Sequence, residues 1–302
     1  HKLDGKSLKQ IGVISMINKK VAVLVDSCSD VPAEIANNEY FEMIPMEVFF
    51  GKEEYQDRVT IEPDEFYQKL ATANPLPTTS SPKGELITKA LSNLMERGYK
   101  QVIAVCISSG LSGTAQQVGI YSKDFPELQI EVIDTKNIGI ASGFAAVRAS
   151  EVIEEGWEFD KIVEEVQRVA DQTKVFFYVP SLKYLIAGGR IGRVAGLVGS
   201  IINLKPIISC DDEGIYYPVA KARGEKKAIK KMLQLVDDTI GNAKHFNLAV
   251  VHGLNETLMN EISTEFKNKY PNVGKFYNGD ISPALGVHTG PGLIGIGVQI
   301  ID

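Results

Sequence analysis

No stretch of this 302-residue chain approaches the ~18 consecutive apolar residues that cross a bilayer. The longest apolar segment, residues 194–208, is interrupted by Gly, Ser, Asn, Lys and Pro. Cysteine is scarce: Cys28, Cys106 and Cys210 lie far apart with no C-x-x-C spacing, and neither H-E-x-x-H nor a Cys/His cluster occurs. The thiols therefore read as reduced, no metal is expected, and the pattern fits a soluble cytoplasmic protein. A basic excess is missing too. With 38 acidic against 32 basic side chains and a net charge of -6, a nucleic-acid polyanion is disfavoured as the main partner.

Nucleotide motifs are equally sparse. There is no G-x-x-x-x-G-K-[ST], hence no ordinary phosphate loop for ATP. A literal G-x-G-x-x-G runs from Gly290 to Gly295, but it opens no helix and no ribose-binding acid follows it, which argues against a dinucleotide cofactor. Gly110-Leu111-Ser112-Gly113 misses the G-x-S-x-G nucleophile elbow by one residue.

What is present is an ordinary globular composition, 44% hydrophobic and 23% charged, in a chain long enough for about two domains. Residues 1–18 are set aside as a leader, with Met16 a candidate natural start. Short apolar runs at 21–25, 101–107 and 130–133 read as buried parallel strands, alternating with helical patterns at 63–72, 81–97 and 115–122. Helices follow at 138–155 and 159–172. After residue 173 the order becomes mixed, with strands at 174–179, 205–209, 215–221, 246–251 and 293–300 and helices at 225–240 and 255–269. The expected architecture is α/β: an N-terminal three-layer domain with a parallel sheet over 19–172, and a second α+β domain over 173–302.

Two hydroxyl-rich turns carry the chemistry. Thr78-Thr79-Ser80-Ser81-Pro82 and Ser108-Ser109-Gly110-Leu111-Ser112-Gly113-Thr114 each precede a helical pattern. Free amides at a helix start, flanked by hydroxyls, suit a carboxylate or phosphate, and two such turns at one edge of a parallel sheet would form an anion site. Ser and Thr also cap helices without binding anything. His288 sits in a glycine-flanked polar loop, 286–292, where a structural role and a ligand role are both open.

Six ordered segments now point to a family. Asp26-Ser-Cys-Ser-Asp30, Thr79-Ser-Ser-Pro82, Ile107-Ser-Ser-Gly-Leu-Ser-Gly-Thr114, the run from Pro180 to Ile191, Lys205-Pro-Ile207 and His288-Thr-Gly-Pro-Gly292 resemble the signatures of the DegV family of bacterial fatty acid-binding proteins. The resemblance covers about residues 19–302. It implies a two-domain carrier that holds one long-chain fatty acid between its domains, with no cofactor and no catalytic residue of its own. It implies carboxylate contacts at Thr79, Ser112 and His288, and it makes Arg190 a candidate for kinase docking or the phosphoryl step. The partner it implies is a separate ATP-binding kinase subunit, which forms an acyl phosphate for phospholipid synthesis. Cys28 and Lys83 depart from the family pattern and are not taken as ligands. Two rival readings remain at this point: a hydrolase of acyl or phosphate esters using Ser112 and His288, and a sheet-based interaction domain with no small ligand.

Overall fold

The computed structural model describes residues 21–200 and 202–302, so the leader falls outside the described part. In chain order the elements are β1 (Val21–Asp26), α1 (Ala33–Ala36), β2 (Phe41–Ile44), β3 (Glu47–Phe50), β4 (Glu53–Gln56), α2 (Pro63–Leu70), β5 (Thr78–Ser80), α3 (Gly84–Glu96), β6 (Gln101–Cys106), α4 (Thr114–Ser122) and β7 (Gln129–Asp134). They continue with α5 (Ile140–Glu154), α6 (Phe159–Gln172), β8 (Lys174–Tyr178), α7 (Lys183–Ala187), β9 (Leu204–Cys210), β10 (Tyr216–Arg223), α8 (Glu225–Ile240), β11 (Phe246–Gly253), α9 (Glu256–Lys269), β12 (Phe276–Asp280), α10 (Pro283–Thr289) and β13 (Leu293–Ile300).

Strands β2-β1-β6-β7 form a parallel sheet. Every residue of β1 is buried, as expected of a strand covered on both faces by helices. Helices α3 and α4 cover one face and α5 the other. The second sheet, β10-β9-β8-β13-β11-β12, is antiparallel except for the β11/β12 pair, and α8 and α9 cover its outer face. The alternation along β8 separates its two sides: Phe176 and Tyr178 face α8 and α9, while Val175 and Phe177 face the interior between the sheets.

Helix α5 lies between the two sheets, which explains its composition. From Ile140 to Ile153 it is rich in Ala, Gly and Val and almost wholly buried, because neither side meets water. On β13 the side chains toward α8 and α9 are the bulky Ile294, Ile296 and Val298, while Gly297 on the inner side lets Phe144 and Ile140 approach. Gln299 Nε2 donates to the Phe144 carbonyl at 2.7 Å, tying the helix to the second sheet.

Several elements differ from the sequence expectation. Residues 41–50, apolar in sequence, form the two strands β2 and β3, because Pro45 lacks the N–H a continuous ladder needs. Strand β5 was expected as part of a helix-opening turn. Instead it pairs antiparallel with β3, with Val48 opposite Thr79, and α3 begins only at Gly84. The first hydroxyl segment therefore belongs to a small β4-β3-β5 sheet and not to the edge of the parallel one. His288 is not in a loop but in the last turn of α10.

At Gly143 a Cβ would stand 2.1 Å from the Ser29 carbonyl oxygen, so α5 touches the loop after β1 through bare backbone. Gly143→Ala is expected to lower stability by about 1–3 kcal/mol in denaturant unfolding. Gly119→Ala, on α4 with open space around it, should be neutral or stabilising by up to about 1 kcal/mol. Equal midpoints for the two variants would refute this packing.

Candidate functional site

A cavity brings together Thr79, Ser112, Arg190 and His288, which line it together with Ser80, Ser81 and apolar neighbours such as Met46 and Leu285. Each arrives on a different segment. Thr79 is fixed by the β3/β5 pairing, Ser112 stands in the turn between β6 and α4, Arg190 follows α7, and His288 comes from α10. The two hydroxyl segments do meet: a Cβ on Gly113 would lie 3.7 Å from Ser81 Oγ.

The hydrogen bonds are specific. Thr79 Oγ1 and His288 Nε2 are 2.7 Å apart. Ser112 Oγ is 2.7 Å from Thr114 Oγ1 and accepts from the Thr114 amide at 3.2 Å. Arg190 donates through Nη1 to the Gly188 carbonyl at 2.8 Å and through Nε to the Leu111 carbonyl at 3.3 Å. Its guanidinium makes no ion pair among the described residues, so its charge remains available to the cavity. Ser112 and His288 thus bond to different partners. The contact by which an imidazole activates a serine is not made, and the hydrolase reading is not carried forward.

His288 is held neutral. Burial, and secondly the positive field of Arg190, push its pKa down to about 3. Its Nδ1 is buried without a hydrogen-bond partner and abuts Gly188, where a Cβ would stand 2.1 Å away. A buried N–H at that position would face the field of a cation with no acceptor. The single ring proton is therefore assigned to Nε2, which donates to Thr79 Oγ1 and leaves the threonine hydroxyl proton free to turn into the cavity.

The helix that carries His288 is anchored by a residue the sequence reading missed. Asp57, fully buried, accepts from Ser27 Oγ at 2.6 Å and from the Ala284 amide at 3.0 Å. Its carboxyl pKa is raised by burial, against these hydrogen bonds. No motif marks Asp57 within its charged loop. The helix itself was legible: Ser282 as N-cap, Pro283 in the first turn and Gly290 just past the end are start and stop signals.

Behind this cavity lies a second one, walled by Ile140, Val175, Phe177, Leu293 and similar side chains, with the hydroxyls of Thr289 and Tyr216 its only side-chain polar groups. The two cavities share Ile138, Tyr216 and Leu285. Every residue lining the second is buried except half-buried Val251, whereas the rim of the first carries exposed Ser80. One end is therefore polar with an exposed rim, and the other apolar with buried walls. Cys28 lines the polar cavity, and burial, followed by the Asp57, Asp26 and Asp30 carboxyls, pushes its thiol pKa well up. Lys83 lies outside both cavities, 2.7 Å from Glu54 and 3.3 Å from Glu47. Among the described residues no group of three or more His, Cys, Asp or Glu could hold a metal ion, and no helix is long and apolar enough to cross a membrane.

Comparison with known proteins gives concordant matches. A model of the DegV family, described as uncharacterised, matches residues 20–300. A DegV domain-containing protein from Clostridium acetobutylicum is 37% identical over 278 residues, covering 92% of this chain and 98% of the relative. Among solved structures, a DegV family protein from Thermus thermophilus, described by its fatty acid binding, aligns with a TM-score of 0.87 at 28% identity, covering 93% of this chain and 99% of that one. DegV from Bacillus subtilis, a fatty acid binding protein, aligns with a TM-score of 0.85 at 30% identity, covering 93% and 99%. The mixed α/β fold with a parallel sheet and a second mixed-sheet domain is common to them.

The state of His288 has a measurable consequence. Its folded pKa, about 3, lies below the ordinary 6.5, so the unfolded chain takes up the proton first as pH falls. The stability linked to this group is complete above 6.5 and declines toward about 3. The expected NMR result is a His288 imidazole whose shifts stay flat between about pH 5 and 8. An inflection near 6.5 would contradict the burial described here.

Proposed function

The chain belongs to the DegV family, and from that premise we propose that it carries one long-chain fatty acid, with the carboxylate at Thr79, Ser112 and His288 and the hydrocarbon in the apolar chamber. One observation carries this reading: a polar cavity with an exposed rim shares three wall residues with an apolar cavity lined almost wholly by buried side chains. A fatty acid has that same division of chemistry along its length. The two domains divide near residue 173, 19–172 and 173–302, and the acid lies between them.

The tail supplies most of the affinity. Burying about 14 methylenes at ~0.8 kcal/mol each gives a ceiling near ~11 kcal/mol before ordering costs. The head is set by hydroxyl donors. Thr79, oriented by the Nε2–H of His288, and Ser112, released from Thr114, each turn a hydroxyl toward a carboxylate oxygen. The Arg190 charge favours the ionised acid. Because His288 is neutral, it adds a directed donor to this network and no second cation.

The reachable head gives the carrier its use. A separate ATP-binding kinase subunit docks over the rim and transfers a phosphoryl group to the exposed carboxylate, and the acyl phosphate passes to phospholipid synthesis. Arg190, beside the cavity and without an acidic partner among the described residues, is placed to meet the kinase or the new phosphate.

Mass spectrometry of lipid released from denatured protein is expected to find long-chain fatty acid at one per chain. Thr79→Ala, Ser112→Ala and His288→Ala should each weaken retention about tenfold or more, the scale of one hydrogen bond to a charged group, while the fold persists. Arg190→Ala should weaken lipid retention less than these three and lose acyl phosphate formation with the kinase. Lipid-free wild-type protein, or three alanine variants that retain lipid normally, would overturn the assignment.

A further inference from the structure

A partition of shared residues separates the apolar chamber from a groove at the surface. This open groove, of about 1420 Å³, is lined by Asp30, Arg58, Tyr277 and Asp280 among others. Ile140 and Val251 line both the groove and the chamber. Consecutive residues Asp280 and Ile281 face opposite sides, Asp280 the groove and Ile281 the chamber.

An ion pair lies against this partition. Arg58 donates through Nη2 to Asp30 Oδ1 at 2.8 Å and to the Asp280 carbonyl at 2.7 Å, with Nε at 3.2 Å from the same Asp30 oxygen. The Asp280 carbonyl belongs to the peptide that leads into Ile281, so Arg58 ties the loop after β1 to the chamber wall. The other carboxylate oxygen, Asp30 Oδ2, is buried and without a hydrogen-bond partner, and a Cβ on Gly139, a chamber residue, would stand 3.7 Å from it. Both members of the pair have left-handed backbone, with φ of 46° at Asp30 and 61° at Arg58. Asp visits that region readily, whereas Arg does so uncommonly.

We propose that the Asp30–Arg58 pair is a clasp that closes the distal end of the acyl chamber and sets the longest chain the protein retains. The inference rests on the fatty acid reading given above. With the clasp closed, the methyl end of the chain stops at Ile140 and Val251. With it open, the partition yields and the chain extends into the groove. Loss of Arg58 removes the tie to Asp280 and leaves Asp30 free to turn toward water. Chain length is thereby decided by an ion pair that touches the partition from outside, and the head contacts play no part in it.

The test is a competition among palmitate, stearate, arachidate, behenate and lignocerate, read by native mass spectrometry of the full chain. Wild type is expected to retain palmitate or stearate and to discriminate against the longer acids. Arg58→Ala should raise behenate relative to palmitate by about tenfold, the gain from roughly two further buried methylenes, with palmitate binding unchanged. Val251→Ala thins the partition without touching the ion pair and should shift the profile the same way, so the proposal stays testable should Arg58→Ala fail to fold. A wild type that binds palmitate, with folded variants of unchanged length profile, overturns the clasp alone. A wild type that binds no fatty acid overturns both the clasp and the function it rests on.

Discussion

One buried carboxylate organises the polar end of this molecule. Asp57 receives the Ser27 hydroxyl from the loop after β1 and the Ala284 amide from the first turn of α10, residues 227 positions from its own. Ser27 Oγ in turn accepts from the Met46 amide at 3.0 Å, which draws the start of β3 into the same network. A carboxylate removed from water is costly unless its lone pairs are filled, so these donors are constrained to stay. That constraint fixes where α10 begins, and a seven-residue helix then delivers His288 to Thr79. The geometry at the cavity therefore depends on a group that does not line it.

The apolar end has a different origin. Helix α5 is shared by both sheets, and the chamber lies beside it where the inner side of β13 carries glycine instead of a branched side chain. Leu293 and Gly295 line the space, while Ile294 and Val298 on the same strand complete the core beneath α8 and α9. A strand that alternates large and small can be core on one side and cavity wall on the other. The room for a ligand is thus written into the same period of two that builds the sheet.

Much of this was legible in the sequence. The unbroken apolar runs of β1 and β6, the helical spacing of α8 and the strand 293–300 follow from periodicity, and Thr79, Ser112, Arg190 and His288, named through the family resemblance, do meet in one cavity. What escaped depends on long-range pairing. Strand β5 is three residues long and exists because β3 lies beside it, and β12, with its polar Asn278-Gly279-Asp280, is a strand by virtue of pairing with β11. Asp57 and Arg58 resemble any charged loop until their hydrogen bonds to residues more than 200 positions away are seen. His288 reads as a loop residue from its flanking glycines, whereas the helix that carries it starts at Ser282-Pro283.

The walls around the polar cavity have one further chemical consequence. An acyl phosphate is a reactive acyl donor, and any protein that shelters one risks being acylated itself. Cys28 is close at hand, but a thiol so strongly disfavoured as a thiolate is a poor nucleophile. Ser112 is paired with another hydroxyl and not with a base, and an imidazole that protonates only near pH 3 has little power to take its proton. Neither Cys28 nor Ser112 is therefore activated to attack an acyl group placed in this cavity.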